Sequence, residues 1–223
     1  MRLGAAAWPD LERTGPLVLI VPLGATEQHG PHLPLETDTL IAVAVAEAVG
    51  AARDDVAVAP ALPYGSSGEH AGFPGTLSLG QAALELALVE LVRSADRFDA
   101  VVLASWHGGN AEPLARAVTR LSAEGRRVVA WDPRPGAADL HAGRTETSLV
   151  LALAPERVGP ARPVGVVERL EVLLPQLRAR GVRAVSPNGV LGDATGAGPE
   201  EGRAIFARLV DDLAACVDAS LAA

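Results

Sequence analysis

The sequence predicts a layered α/β fold, a largely parallel β-sheet flanked by helices. Two observations carry this reading. Short runs rich in Val, Ile and Leu alternate with longer helical stretches four times between residues 17 and 155. Those runs are apolar throughout rather than alternately apolar and polar, as strands covered on both faces must be.

The first run, LVLIVPL from Leu17 to Leu23, reads as a buried strand that breaks at Gly24. The segment after it, GATEQHGPHLPLETD, holds Gly30, Pro31 and Pro34 and cannot be regular structure. Thr37 or Asp38 then caps an apolar helix from about Thr39 to Ala51. Val56 to Gly65 reads as a second strand, followed by GSSGEHAGFPGTLSLG, residues 65–80. A loop that long in a compact domain is often functional. Ser78 with Gln81 matches a capping box for the helix through ALELALVELVRSA.

FDAVVLASWHGGN, residues 98–110, is a third strand ending in a glycine-rich turn that carries His107. A helix follows from about Glu112 to Glu124, and RRVVAWDP is the fourth strand. HAGRTETSLVLALAP, residues 141–155, starts as a loop and continues as an apolar helix. Residues 156–198 mix strand-like and helix-like pieces, with a break at Pro175, and receive no assignment. A final amphipathic helix runs from about Pro199 to Ala219. Nothing marks a domain boundary, so residues 1–223 are expected to form one domain.

The net charge of −8 and pI near 5.1 speak against general nucleic-acid binding, which needs basic patches. No stretch approaches the roughly 18 apolar residues of a membrane helix, and no targeting segment stands out. The single cysteine, Cys216, excludes an internal disulfide and fits a reducing, cytoplasmic setting.

Metal-competent side chains gather at the strand-to-loop junctions: Glu27, His29, Asp38, His107 and Glu146, with His32, His70 and His141 close by in kind. All five histidines lie in Gly- or Pro-rich junction segments. In a parallel sheet the loops after successive strands open on one edge, so these side chains can converge. Nitrogen and oxygen donors without thiolate suit Zn²⁺, Fe²⁺ or Mn²⁺. Two histidines and three carboxylates exceed what one catalytic metal needs and suit two divalent metals bridged by one carboxylate. The plainer readings are that His32 packs its loop, His70 lines a pocket, Trp106 forms wall or core, and Asn110 caps the next helix.

Four segments in order, GATEQHGPHLPLETD, EHAGFPGT, SWHGGN and HAGRTETS, resemble the signature segments of the creatininase family of metal-dependent amidohydrolases. That resemblance implies a dinuclear metal site with Glu27, His29, Asp38 and His107 as ligands, Asp38 as the bridge and His141 moving the proton. It also implies a homo-oligomer. Creatininase carries Tyr-Glu after the third-strand histidine, where Gly108 and Gly109 stand here. Glu146 is then the natural replacement ligand, with His32, His70 and Trp106 as candidate substrate contacts. The short chain and GVLGDATGAG most resemble family members that release a C-terminal Val-Tyr dipeptide from a modified precursor peptide. A small-molecule amidohydrolase or deformylase is the alternative within the family. Outside it, the alternative is a non-catalytic, metal-stabilised binding subunit.

Overall fold

Strand β1 (Val18–Leu23) is buried at every position and is the spine of a four-stranded sheet of order β2-β1-β3-β4. A computed structural model describes residues 1–15, 17–133 and 139–222. Its partners β2 (Val56–Val58) and β3 (Ala100–Ser105) pair with it in parallel, as does β4 (Val128–Trp131) with β3. Side chains alternate across the strand plane. Val18 and Ile20 therefore enter one core with α2 (Thr37–Ala52), α5 (Arg144–Leu153) and α8 (Pro199–Ala222). Leu19 and Val21 enter a second core on the opposite face, with α3 (Gln81–Arg93) and α4 (Ala111–Ala123). Complete burial of a residue such as Ile20 contributes about 1.5–3 kcal/mol. A short α1 (Trp8–Glu12) precedes the sheet.

The chain leaves β1 towards β2 on one side and returns to β3 on the other. The carboxyl ends of β1 and β3 thus form the crevice where open α/β sheets place their sites. Among the described residues no helix is long and apolar enough to cross a membrane.

Three sequence expectations need correction. The second strand stops at Val58 instead of reaching Gly65. Pro60 and Pro63 lack the N–H groups a regular ladder needs, although Ala59 and Leu62 still donate to β1 carbonyls. Ser78 is not a helix cap: α3 starts after Gly80, and the Ser78 hydroxyl accepts the N–H groups of Ser67 and Gly80. It therefore secures the 65–80 loop. Pro175 does not break the chain, because α6 (Leu170–Arg180) runs through it. In the second turn it forfeits one backbone bond without ending the helix. A one-turn α7 (Val182–Val185) follows. Strands of loop around Gly165 and Val166 then pair with Gly192 and Val190, laying residues 189–192 beside His141.

Candidate metal centre

Glu27, His29, Asp38, His107, His141 and Glu146 come together at the sheet's carboxyl edge, each less than 10% exposed. The loop after β1 supplies Glu27 and His29, and the first turn of α2 supplies Asp38, where the helix N-terminus favours an anion. His107 follows β3, and His141 and Glu146 come from the entrance to α5.

Two groups of donors share Asp38: Glu27, Asp38 and His107 on one side, His29, Asp38 and Glu146 on the other. Within each, candidate donor atoms lie within 4.8 Å of one another. Asp38 Oδ1 is 3.1 Å from His29 Nε2, and its Oδ2 is 3.4 Å from His107 Nδ1. Glu27 Oε1 stands 3.2 Å from the same His107 nitrogen, and Glu146 Oε2 is 3.8 Å from His29 Nε2.

The outer nitrogens of these histidines are already engaged. His29 Nδ1–H donates to the Glu27 carbonyl (3.1 Å), and His107 Nε2–H donates to the Ser66 carbonyl (3.0 Å). A neutral imidazole held this way turns a lone pair towards the carboxylates, as metal-ligating histidines do. Lone pairs facing carboxylate oxygens repel unless a cation lies between. Both Glu27 oxygens and Asp38 Oδ2 are buried without a hydrogen-bond partner. The donor set therefore fits divalent metal ions.

With no metal bound, a proton on each inner nitrogen takes the place of that cation. Burial alone would lower His29 and His107, but Asp38 beside the first and Glu27 beside the second push each up to about 10. Burial alone would raise Glu27, yet His107, His70 and His141 hold it well below the usual carboxylate range. Metal ions must displace protons from both imidazoles, so affinity weakens as pH is lowered. Burial, then neighbouring His29, lowers His141 and keeps it neutral.

Glu146 is held by two donors, the Trp106 indole N–H (3.0 Å) and the Ala142 N–H (2.6 Å). Ala142 reaches it with φ of 52°, a left-handed conformation that a non-glycine residue adopts only under tertiary constraint. Trp106 packs in the core as well. The other two sequence candidates have different neighbours. His70 Nε2 lies 3.4 Å from Glu27 Oε1. His32 has its Nε2 2.8 Å from the Thr147 hydroxyl, and burial lowers its pKa to about 4. Asn110 makes no side-chain cap. Its amide ties Ser66, Gly24 and Ser105 together beneath His107.

Position 109 explains the glycine pair. A Cβ there would stand 2.1 Å from the Ser66 carbonyl and 2.5 Å from His107 Nε2. No side chain fits there, whereas Glu146 stands among the candidate donors with His29 and Asp38. Sequence reading missed Gln28, which is buried at the centre of the histidines, and Glu69, 4.0 Å from His107. The signal for Gln28 was its place between two candidate donors in Glu-Gln-His.

A profile of the creatininase (creatinine amidohydrolase) family matches residues 5–217. The chain belongs to the creatininase family. It is accordingly an amidohydrolase, a hydrolase acting on amide bonds. It is 50% identical to the mycofactocin precursor peptide peptidase of Mycolicibacterium smegmatis over 95% of this chain and 88% of that protein. Its fold is similar to that of creatinine amidohydrolase, with a TM-score of 0.78 at 28% identity, covering 99% of this chain and 97% of that one. A manganese creatininase structure is similar to the same degree, with a TM-score of 0.78 at 27% identity over 99% and 98% of the two chains.

Proposed function

We propose that this amidohydrolase is a dinuclear peptidase that releases a C-terminal Val-Tyr dipeptide from a modified mycofactocin precursor peptide. The observation that carries the dinuclear part is the division of Asp38, one oxygen towards His29 and the other towards His107. His29, Asp38 and Glu146 would hold one metal, and Glu27, Asp38 and His107 the other. Fe²⁺ and Zn²⁺ suit this nitrogen and oxygen set, as does Mn²⁺. When bound, the metals supply Lewis acidity and activate water at neutral pH. The peptide assignment is supported by 50% identity to a protein of that name.

The chain's own residues perform the proton work. His141 Nε2–H donates to the Gln28 carbonyl (2.7 Å), which leaves Nδ1 facing the centre, 3.7 Å from Glu27 Oε1. Nδ1 accepts the proton of the attacking water as the C–O bond forms, and returns it to the leaving nitrogen as the C–N bond breaks. Burial of the cluster excludes bulk water from this transfer. A purely structural metal site has no need of an imidazole posed in this way, which favours the enzyme over a metal-stabilised binding subunit.

Mass spectrometry of the holoenzyme with a modified precursor peptide ending in Val-Tyr is expected to show free dipeptide. Release from creatinine or a formamide alone would instead favour the small-molecule alternative. We also propose a homo-oligomer, because α3 exposes Leu86 and Leu91 and the preceding loop exposes Leu77 and Leu79. Light scattering is expected to give a multiple of 22.9 kDa. A mass at the monomer value would refute association.

A further inference from the structure

Gln28 lies between the two metal-side residues Glu27 and His29, is 5% exposed, and is itself no metal ligand. Its amide orientation is set by the backbone. Oε1 accepts the Gly30 N–H at 2.9 Å, and Nε2 donates to the Gly189 carbonyl at 3.0 Å. Gly189 has φ of 80°, and a Cβ there would stand 1.9 Å from Gln28 Oε1, so only glycine lets the main chain close on this amide.

With the amide fixed, its second hydrogen goes to whichever neighbouring ring nitrogen carries no proton of its own. His70 Nδ1 lies 2.9 Å from Nε2. An NH₂ group only donates, so Nδ1 must accept and the His70 proton must reside on Nε2. That nitrogen faces Glu27 Oε1 at 3.4 Å. His141 Nε2 is also near the amide nitrogen, at 3.0 Å, but 2.7 Å from the Gln28 carbonyl oxygen. A bare nitrogen that close to a carbonyl oxygen would be repelled, so His141 carries its proton on Nε2 and donates it there. Its Nδ1 is left bare towards the centre, 3.7 Å from Glu27 Oε1. The rings of His70 and His141 lie 4.5 Å apart.

We propose that Gln28 is a positioning residue that poses two neighbouring imidazoles in complementary roles. Its side chain fixes His70 as an N–H donor into the reaction centre, and its carbonyl fixes His141 as a proton acceptor. This rests on the amidohydrolase reading. His70 Nε2–H is then placed to hydrogen-bond an oxygen of the scissile group while His141 Nδ1 moves the proton. Neither role survives if the tautomer is exchanged.

The test reads the tautomers directly. Protein labelled with ¹⁵N-histidine and loaded with diamagnetic zinc is examined by long-range ¹H–¹⁵N spectra, alongside Gln28→Glu and Gln28→Met. The wild type is expected to show both His70 and His141 protonated on Nε2. In Gln28→Glu an acceptor replaces the donor, so His70 gains a proton on Nδ1 while His141 is unchanged. Its kcat should fall ~10–100-fold, the usual range for residues that orient a metal site's inner groups, with zinc content retained. Gln28→Met, which offers neither group, should leave His70 distributed over both tautomers, and it decides the matter if the glutamate variant loses zinc. A bare His70 Nε2 in the wild type, or an unchanged His70 in both variants, would overturn the proposal. Because this readout needs no substrate, failure of the peptide assignment would leave the tautomer result standing and be recognised separately.

Discussion

Asp38→Ala is expected to purify without bound transition metal and with kcat lowered by more than ~10³-fold. The two oxygens of Asp38 face different histidines, so its loss removes a donor from both of the donor groups that share it. Lewis-acid stabilisation of the developing charge is worth several kcal/mol, and each 1.36 kcal/mol is tenfold in rate. The fold should persist. Asp38 packs at the entrance to α2 and makes none of the apolar contacts of either core, so its loss leaves the sheet and its flanking helices in place. Elemental analysis and circular dichroism of the variant check both halves. An Asp38→Ala protein that keeps one metal ion per chain would contradict the bridging role.

His141→Ala is expected to behave differently, keeping its metals while kcat falls ~10²–10⁴-fold, the range for loss of general acid–base catalysis. His141 does not belong to either of the groups that share Asp38, although its Nδ1 comes within reach of Glu27 and His29. An amine is a poor leaving group unless protonated, so the loss should appear in kcat with KM less affected. Steady-state kinetics with parallel metal analysis check this. Activity within a few-fold of wild type at unchanged metal content would move the proton-transfer role to another group such as His70, whose ring lies 4.5 Å from that of His141.

How much of this could be read from the sequence depends on the range of the forces involved. The sheet was legible because β1 and β3 are buried on both faces and so are written as unbroken apolar runs. The convergence of the candidate donors was legible because each stands just beyond such a run or at a helix entrance, where the fold class itself brings loops together. The elements misread were those decided by tertiary contacts. Ser78 resembled a helix cap but serves its own loop, and Pro175 resembled a break but lies inside α6. Residues 156–198 build a small core of their own around Leu173, Val182 and Leu191 and send Val190 into the main one, a pattern with too little periodicity to assign. Gln28 was hidden for another reason. Its function lies in bonds to Gly189, 161 residues away, and to histidines 42 and 113 residues away. Gly109 was visible only as a missing ligand, whereas the structure gives the reason, a main-chain contact that leaves no room for a Cβ.

The most direct test of the dinuclear centre is a metal count on the wild-type protein, freshly purified and never exposed to chelator. Elemental analysis against protein concentration from amino-acid analysis is expected to give about two divalent transition-metal ions per chain, as a carboxylate-bridged pair requires. One ion per chain, or none, would contradict the account.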